Sequence, residues 1–200
     1  EHVKELNRIV SAYLDLAAQT DVFAGAAATI TGQSASWLRE NGVVQSVAMD
    51  WISSNYFPVI GLRPFLGRAF EPAEDQAGAG SAAVVSYHSW KEAFGGDPAI
   101  LGRVLRINGA SVTVVGIGPR GYRGIISGHQ VDFWLSLSSL GPVAGPYAAG
   151  TLQRRDDHWF DVMARLRPGI SLVQAQAAVT LLSARLARDH PEHHKGRTIT

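Results

Sequence analysis

The chain of 200 residues contains no cysteine. That excludes disulfides, thiolate catalysis and cysteine-type zinc sites together. Charge excess is missing as well: 18 Lys and Arg face 17 Asp and Glu, for a formal net charge of +1. The densest cationic spots, Arg154-Arg155 and Lys195 to Arg197, are short. Clustered cations supply most of the affinity for phosphate backbones, so nucleic acid is not an expected partner. No stretch approaches the ~18 consecutive apolar residues of a membrane span. No G-x-x-x-x-G-K-[ST] string exists, which excludes phosphate binding by a P-loop. The chain opens on Glu1-His2 with neither an initiator Met nor a signal-peptide pattern, and is expected to be a segment of a longer protein.

What is present points to a folded body rich in turns. Apolar residues make up 46% and charged residues 18%, ordinary values for a globular chain. A chain of this length buries roughly 70% of its unfolded surface and needs no staple. Glycine at 21 and proline at 9 imply many turns and a mixed or strand-rich fold.

Val3, Leu6, Ile9, Val10, Tyr13, Leu14 and Ala17 recur at helical spacing and predict an amphipathic helix near 2–18. Residues 22–31 and 43–52 read as strands, the second with Val43, Val47 and Trp51 on its apolar face. Asn55 to Gly61 predicts one helical turn. The acidic and glycine-rich segment 71–81 predicts a surface loop and a lobe boundary. A strand at 82–87 follows, then a helix from His88 to Phe94 ended by Gly95-Gly96. Asn108-Gly109 between β-branched runs predicts a type I′ hairpin over 104–118. Residues 132–137 read as a strand, and 141–150 as a loop because of its Gly and Pro density. In 159–167, Phe160, Val162, Ala164 and Leu166 alternate onto one face. Ser171 and Gln174 form a capping box for a helix that buries Leu172, Ala175, Val179, Leu182 and Leu186 and stops at Pro191. Arg197 to Thr200 begins a further strand, which makes 159–200 a β-α-β unit.

Reactive constellations are sparse. Gly116, Gly118 and Gly121 match the dinucleotide string after a strand, but Pro119 and Gly124 follow where a phosphate-binding helix should start, and Ser136 stands where an acid should. Gly32, Ser34 and Ser36 lack the last glycine of a nucleophile elbow. Ser86, His88 and Asp132 hold the residue types of a triad, although Ser86 and His88 straddle a strand end. His190, His193 and His194 cluster around Pro191, and His158 lies near Asp156, Asp157 and Asp161; either group has metal-ligand types without metal-ligand spacing on one element. Glu71, Glu74 and Asp75 are expected to be solvated on their loop, whereas acid–base pairs need a desolvated partner facing a cleft. The aromatics Trp51, Tyr56, Phe57, Phe65, Phe70, Trp90, Phe94, Trp134 and Trp159 are expected mostly in the core, with one or two as exposed anchors. No catalytic, cofactor or metal residue is assigned.

An ordered set of motifs carries a family resemblance. It comprises Asn55-Tyr56-Phe57, Ile60-Gly61-Leu62-Arg63-Pro64, Leu66-Gly67-Arg68, Ser86-Tyr87 with Trp90, and Phe94-Gly95-Gly96-Asp97-Pro98. Leu101-Gly102-Arg103, Ile107-Asn108-Gly109, Val114-Val115-Gly116 and Arg165-Leu166-Arg167-Pro168-Gly169-Ile170-Ser171 with Gln174-Ala175 follow. In order and spacing this resembles the MacB-like periplasmic core domain of FtsX-like ABC transporter permeases, of the duplicated orphan permease type. The similarity spans nearly the whole chain, and Tyr122 departs from it where the family often has Phe.

The resemblance implies an α+β fold of two lobes: a porter-like lobe with βαβ elements from residues 1–80 and 155–200, and an inserted β-rich lobe at 81–154. It implies a non-catalytic extracytoplasmic domain between two membrane helices of a permease. Such a domain relays conformational change, with an ATPase subunit and the membrane helices as partners and a periplasmic protein or substrate in contact. No cofactor is implied. A small-ligand-binding module and an enzyme using His88, Asp132 or the His190–His194 group are the other readings the residues leave open.

Overall fold

The structure, a computed structural model, describes residues 20–76, 78–151 and 161–189. Eight strands form one sheet: β1 (Phe23–Leu38), β2 (Val44–Ile52), β3 (Leu66–Gly67), β4 (Ala82–Val85), β5 (Val104–Ile107), β6 (Ala110–Ile117), β7 (Phe133–Ser136) and β8 (Asp161–Leu166). Among the described residues four helices accompany them: α1 (Tyr56–Ile60), α2 (Tyr87–Phe94), α3 (Leu140–Thr151) and α4 (Leu172–Asp189). The expected α+β class is observed.

Neighbours in the sheet run β2–β7–β4–β6–β5–β1, and β1 also pairs β2. Six strands therefore close into a ring. β1 makes this possible by its length of 16 residues. One edge pairs β2 from Thr29 to Leu38; the other pairs β8 from Phe23 to Thr29 and then β5 at Trp37 and Leu38. The change of partner follows a bulge between Ile30 and Gln33, where Gly32 takes φ 70°, a conformation open to glycine at little cost. β4, β5, β6 and β7, from the expected inserted lobe, join β1 and β2, from the expected porter-like lobe, at both ends of this ring.

Local chemistry explains the element ends. Gly61 closes α1 in the left-handed conformation, and Gly95 does the same for α2. Asn108 and Gly109 have φ 48° and 81°, as a type I′ hairpin requires. Asn108 adds a long-range tie: its side-chain carbonyl accepts Ser36 N–H at 2.7 Å and its amide donates to Val143 O at 3.0 Å.

Apolar side chains fill two clusters, one on each face. Trp37, Trp51, Ile100, Ile107, Val114 and Phe133 centre the first. Tyr56, Phe57, Val84 and Trp134 centre the second, where Phe57 and Tyr122 contact the Trp134 ring at 5.5 and 5.6 Å between centroids.

Several expectations are corrected. The strand at 22–31 extends to Leu38. Val43 is exposed, and the buried alternation of β2 is Val47, Met49 and Trp51. Residues 141–150 are helical, in two pieces on either side of Gly145, whose φ 73° and ψ 179° break the helix. Pro142 sits in the first turn, where a missing N–H costs nothing. On β8 the expected apolar face is the exposed one at Val162 and Ala164, while Met163 packs toward the second cluster. In α4 the capping box forms as expected, with Gln174 N–H donating to Ser171 Oγ at 3.3 Å and the Gln174 side chain accepting Ser171 N–H at 2.9 Å. Ala175 and Leu182 are buried, but Leu172 is not. The expected helix at 2–18, Phe160, Pro191 and the strand from Arg197 lie outside the described residues.

Candidate functional site

The residues singled out for possible chemistry hold backbone in place instead. Ser86 caps α2, accepting Ser89 N–H at 3.1 Å. Its hydroxyl donates to Ser89 Oγ, and Ser89 Oγ donates to Asp132 Oδ1 at 2.5 Å. Asp132 Oδ2 accepts Ala48 N–H at 2.9 Å, which ties β2 to the start of β7. His88 is exposed on the outside of α2. Ser86 and Asp132 are thus brought together through Ser89, without His88, and among the described residues no histidine bonds the serine.

The glycine string is a packing device. A Cβ on Gly116 would sit 2.2 Å from Arg68 O, and one on Gly118 would sit 2.5 Å from the Trp134 ring. Both glycines admit close neighbours and neither precedes a helix.

The acidic segment is more ordered than a solvated loop. Pro72–Asp75 forms a 3-10 turn with a capping box between Glu71 and Glu74. Arg68 donates to both Glu74 oxygens at 2.8 and 3.0 Å. Burial pushes the Glu74 carboxyl up, and the Arg68 and Glu71 hydrogen bonds with the Arg68 charge outweigh it and hold it below its ordinary value. Asp75 accepts Ser54 N–H at 2.8 Å and Ser54 O–H at 2.6 Å. Burial raises its pKa, and those two bonds oppose the rise. Only Glu71 is exposed as expected. His158, His190, His193, His194, Asp156 and Asp157 lie outside the described residues, and Asp161 is exposed on β8. Among the described residues no group of three His, Cys, Asp or Glu could hold a metal.

Among the described residues the one fully buried acid, missed in the sequence, is Asp50 at 1% exposure. Its carboxylate accepts Gly32 N–H at 2.9 Å, which braces the bulge of β1. Burial raises its pKa, while the Gly32 bond and His129 oppose the rise. Beside it Tyr56 and Tyr122 share a hydrogen bond of 2.6 Å. Burial raises both phenols, and the Asp50 charge adds to it. His129 Nε2 and Trp134 Nε1 are buried with no partner among the described residues. The signal that would have found Asp50 is an acid inside the apolar run Val47, Met49, Trp51.

The described surface carries several open cavities. One of about 380 Å³ lies along residues 121–130, including Tyr122 and His129. A larger one of about 610 Å³ lies where β1 ends beside β5, with Trp37, Phe94 and Leu105 among its lining and Arg39, Arg103 and Arg106 around it. No helix among the described residues is long and apolar enough to cross a membrane.

Comparison with known proteins agrees with this picture. The family model of the MacB-like periplasmic core domain matches residues 5–182. No curated protein matches in sequence at a significant level. Among solved structures, the extracellular domain of the noncanonic ABC-type transporter YknZ from Gram-positive bacteria aligns with TM-score 0.60 and 17% identity over 89% of this chain and 83% of that one. The periplasmic region of MacB from Actinobacillus actinomycetemcomitans aligns with TM-score 0.60 and 16% identity over 90% and 74%. A domain of a putative permease from Porphyromonas gingivalis aligns with TM-score 0.58 and 18% identity over 84% and 73%. The chain belongs to the family of MacB-like periplasmic core domains, and is the extracytoplasmic domain of an FtsX-like ABC transporter permease.

Proposed function

We propose that this domain is a non-catalytic relay, which moves as a body when a partner ATPase works and passes that motion to a protein or substrate outside the membrane. The observation that carries the reading is the closed ring of pairings around β1. A ring has fewer free edges than an open sheet and resists shear between its strands. Asp50 braces the bulge between Ile30 and Gln33, and Asp132 and Asp75 spend their oxygens on backbone and serine donors. Side chains so engaged favour stiffness over proton transfer. The two-lobe division, residues 1–80 and 155–200 against 81–154, belongs to the same proposal. In it β1 pairs β8 and β2 within the porter-like lobe and pairs β5 across to the inserted one.

The absence of cysteine makes the test direct, since a single introduced cysteine is unique within these residues. Gln45, exposed at the start of β2, is replaced by cysteine in the full-length permease and labelled with an environment-sensitive dye. With the partner ATPase, ATP addition is expected to change the signal, and an ATPase unable to hydrolyse ATP is expected to abolish cycling of that change. An identical signal in all states would refute the relay.

A further inference from the structure

We infer that the groove between the end of β1 and the edge of β5 binds an extended acidic peptide segment of a partner protein, which adds to β5 as a further strand. The inference deepens the proposed contact with an outside partner and rests on that reading.

The first observation is an open sheet edge. β5 pairs β6 along all four of its residues, but on its other edge it pairs β1 only at Arg106 and Ile107. β1 stops at Leu38 and the chain turns back into β2, with Arg39 N–H donating to Val43 O and Gly42 N–H donating to Arg39 O. Val104 and Leu105 are left with no strand beside them among the described residues. An unpaired edge of this kind is a template for strand addition.

The second is apolar surface on the outer face of that edge. On the inner face Leu105, Ile107 and Trp37 are buried in the core, with Phe94 tilted against Trp37 at 5.0 Å between ring centroids. Val104 shares the outer face with Leu38; they are 59% and 46% exposed. Every second side chain of an added strand would meet this outer apolar pair.

The third is charge. Three arginines and one acid, Glu40, line the groove, a net of +2 from 3 − 1. Glu40 already pairs with Arg103. The Arg39 guanidinium lies 5.2 Å from the Trp37 ring centroid and donates to Ala93 O at 3.2 Å. Arg106 donates to Gly109 O at 3.1 Å from one nitrogen. Each guanidinium carries five donors in a fixed fork, so Arg39 and Arg106 keep donors for carboxylates. An acidic segment is matched to this lining and a basic one is repelled by it.

The test uses fluorescein-labelled peptides of alternating glutamate and valine, their lysine–valine counterparts, and the glutamate peptide N-methylated at alternate residues. Anisotropy is titrated against the 200-residue chain. The glutamate peptide is expected to bind at least about tenfold tighter than either control, which is about 1.4 kcal/mol. Amide exchange at Val104 is expected to slow in the complex. The Arg39→Glu, Arg106→Glu double variant, checked for unchanged circular dichroism, is expected to reverse the charge preference. Equal binding of the methylated peptide would show that the groove takes carboxylates without strand pairing and would overturn the inference. So would equal binding of the lysine peptide, or no saturable binding by the glutamate peptide. None of these results would touch the relay itself, which is read from ATP-dependent motion.

Discussion

At the centre of the sheet β4 and β7 are buried at every position, while α4, eighteen residues long, leaves Leu172, Val173 and Leu181 exposed and buries Ala175 and Leu182. Both regions are rich in apolar residues. They differ in how many layers meet them. A central strand has neighbours on both edges and side chains packed on both faces, so any apolar residue there is covered. A peripheral helix offers one stripe to the sheet, and only residues on that stripe are covered. Apolar character therefore marks the core reliably at the centre and poorly at the rim.

The largest expected effect lies at the centre. Trp134→Ala removes the ring that Phe57 and Tyr122 pack against, and should cost about 4 kcal/mol in urea unfolding. Gly116→Ala and Gly118→Ala should each cost about 2–3 kcal/mol by overpacking. The Gly116 variant should be the worse, because its neighbour is the backbone oxygen of Arg68. The Gly118 cost should largely vanish in a Trp134→Ala background, since the clash is with that ring. Additive costs in the double variant would break the packing assignment.

The rim supplies the paired control. Leu182→Ala, at 6% exposure, should cost about 2–3 kcal/mol. Its neighbour Leu181→Ala, at 74% exposure, should change stability by about 0.5 kcal/mol or less. Equal costs would mean that α4 packs by another stripe.

Asp50, on β2 opposite Trp134 of β7, has an effect that is read as a pH slope. Its pKa is raised by burial, so the native state holds the proton more tightly than the unfolded chain does. The stability this contributes is full below the ordinary value of 3.8 and is lost as pH rises through the raised value. Asp50→Asn keeps an acceptor for Gly32 N–H and cannot ionise. Relative to wild type, its melting temperature should therefore rise as pH increases from below 3.8 toward neutrality. Parallel melting curves across that range would contradict a buried carboxyl. Asp75, raised in the same direction, stays in both proteins and gives the common background slope.

The same division sets how much was legible in the sequence. Hairpin, helix caps and central strands were readable because Asn108-Gly109, Gly61, Gly95 and the Ser171–Gln174 box act over a few residues. The family was readable for the same reason, since its motifs are those turns. The reach of β1 to Leu38 was not, because its second half, Gly32 to Leu38, is polar on alternate positions and is held by β2 and β5, which lie far away in sequence. Asp50 itself, and the bracing roles of Asp75 and Asp132, escaped for a related reason. Their partners Gly32, Ser54 and Ser89 are fixed by tertiary pairing rather than by spacing. Residues 141–150 turned helical although Gly145 and Pro142 argue for a loop, since Gly145 breaks the helix at one point only.

The measurement that bears most directly on the relay is a pair of electron–electron distances in the full-length permease with its ATPase. One pair of labels sits within the domain, at Gln45 and Arg123, both exposed; the other joins Gln45 to the membrane part. A rigid relay keeps the first distance constant between nucleotide-free and ATP-bound states while the second changes. A change in the first distance with none in the second would contradict it.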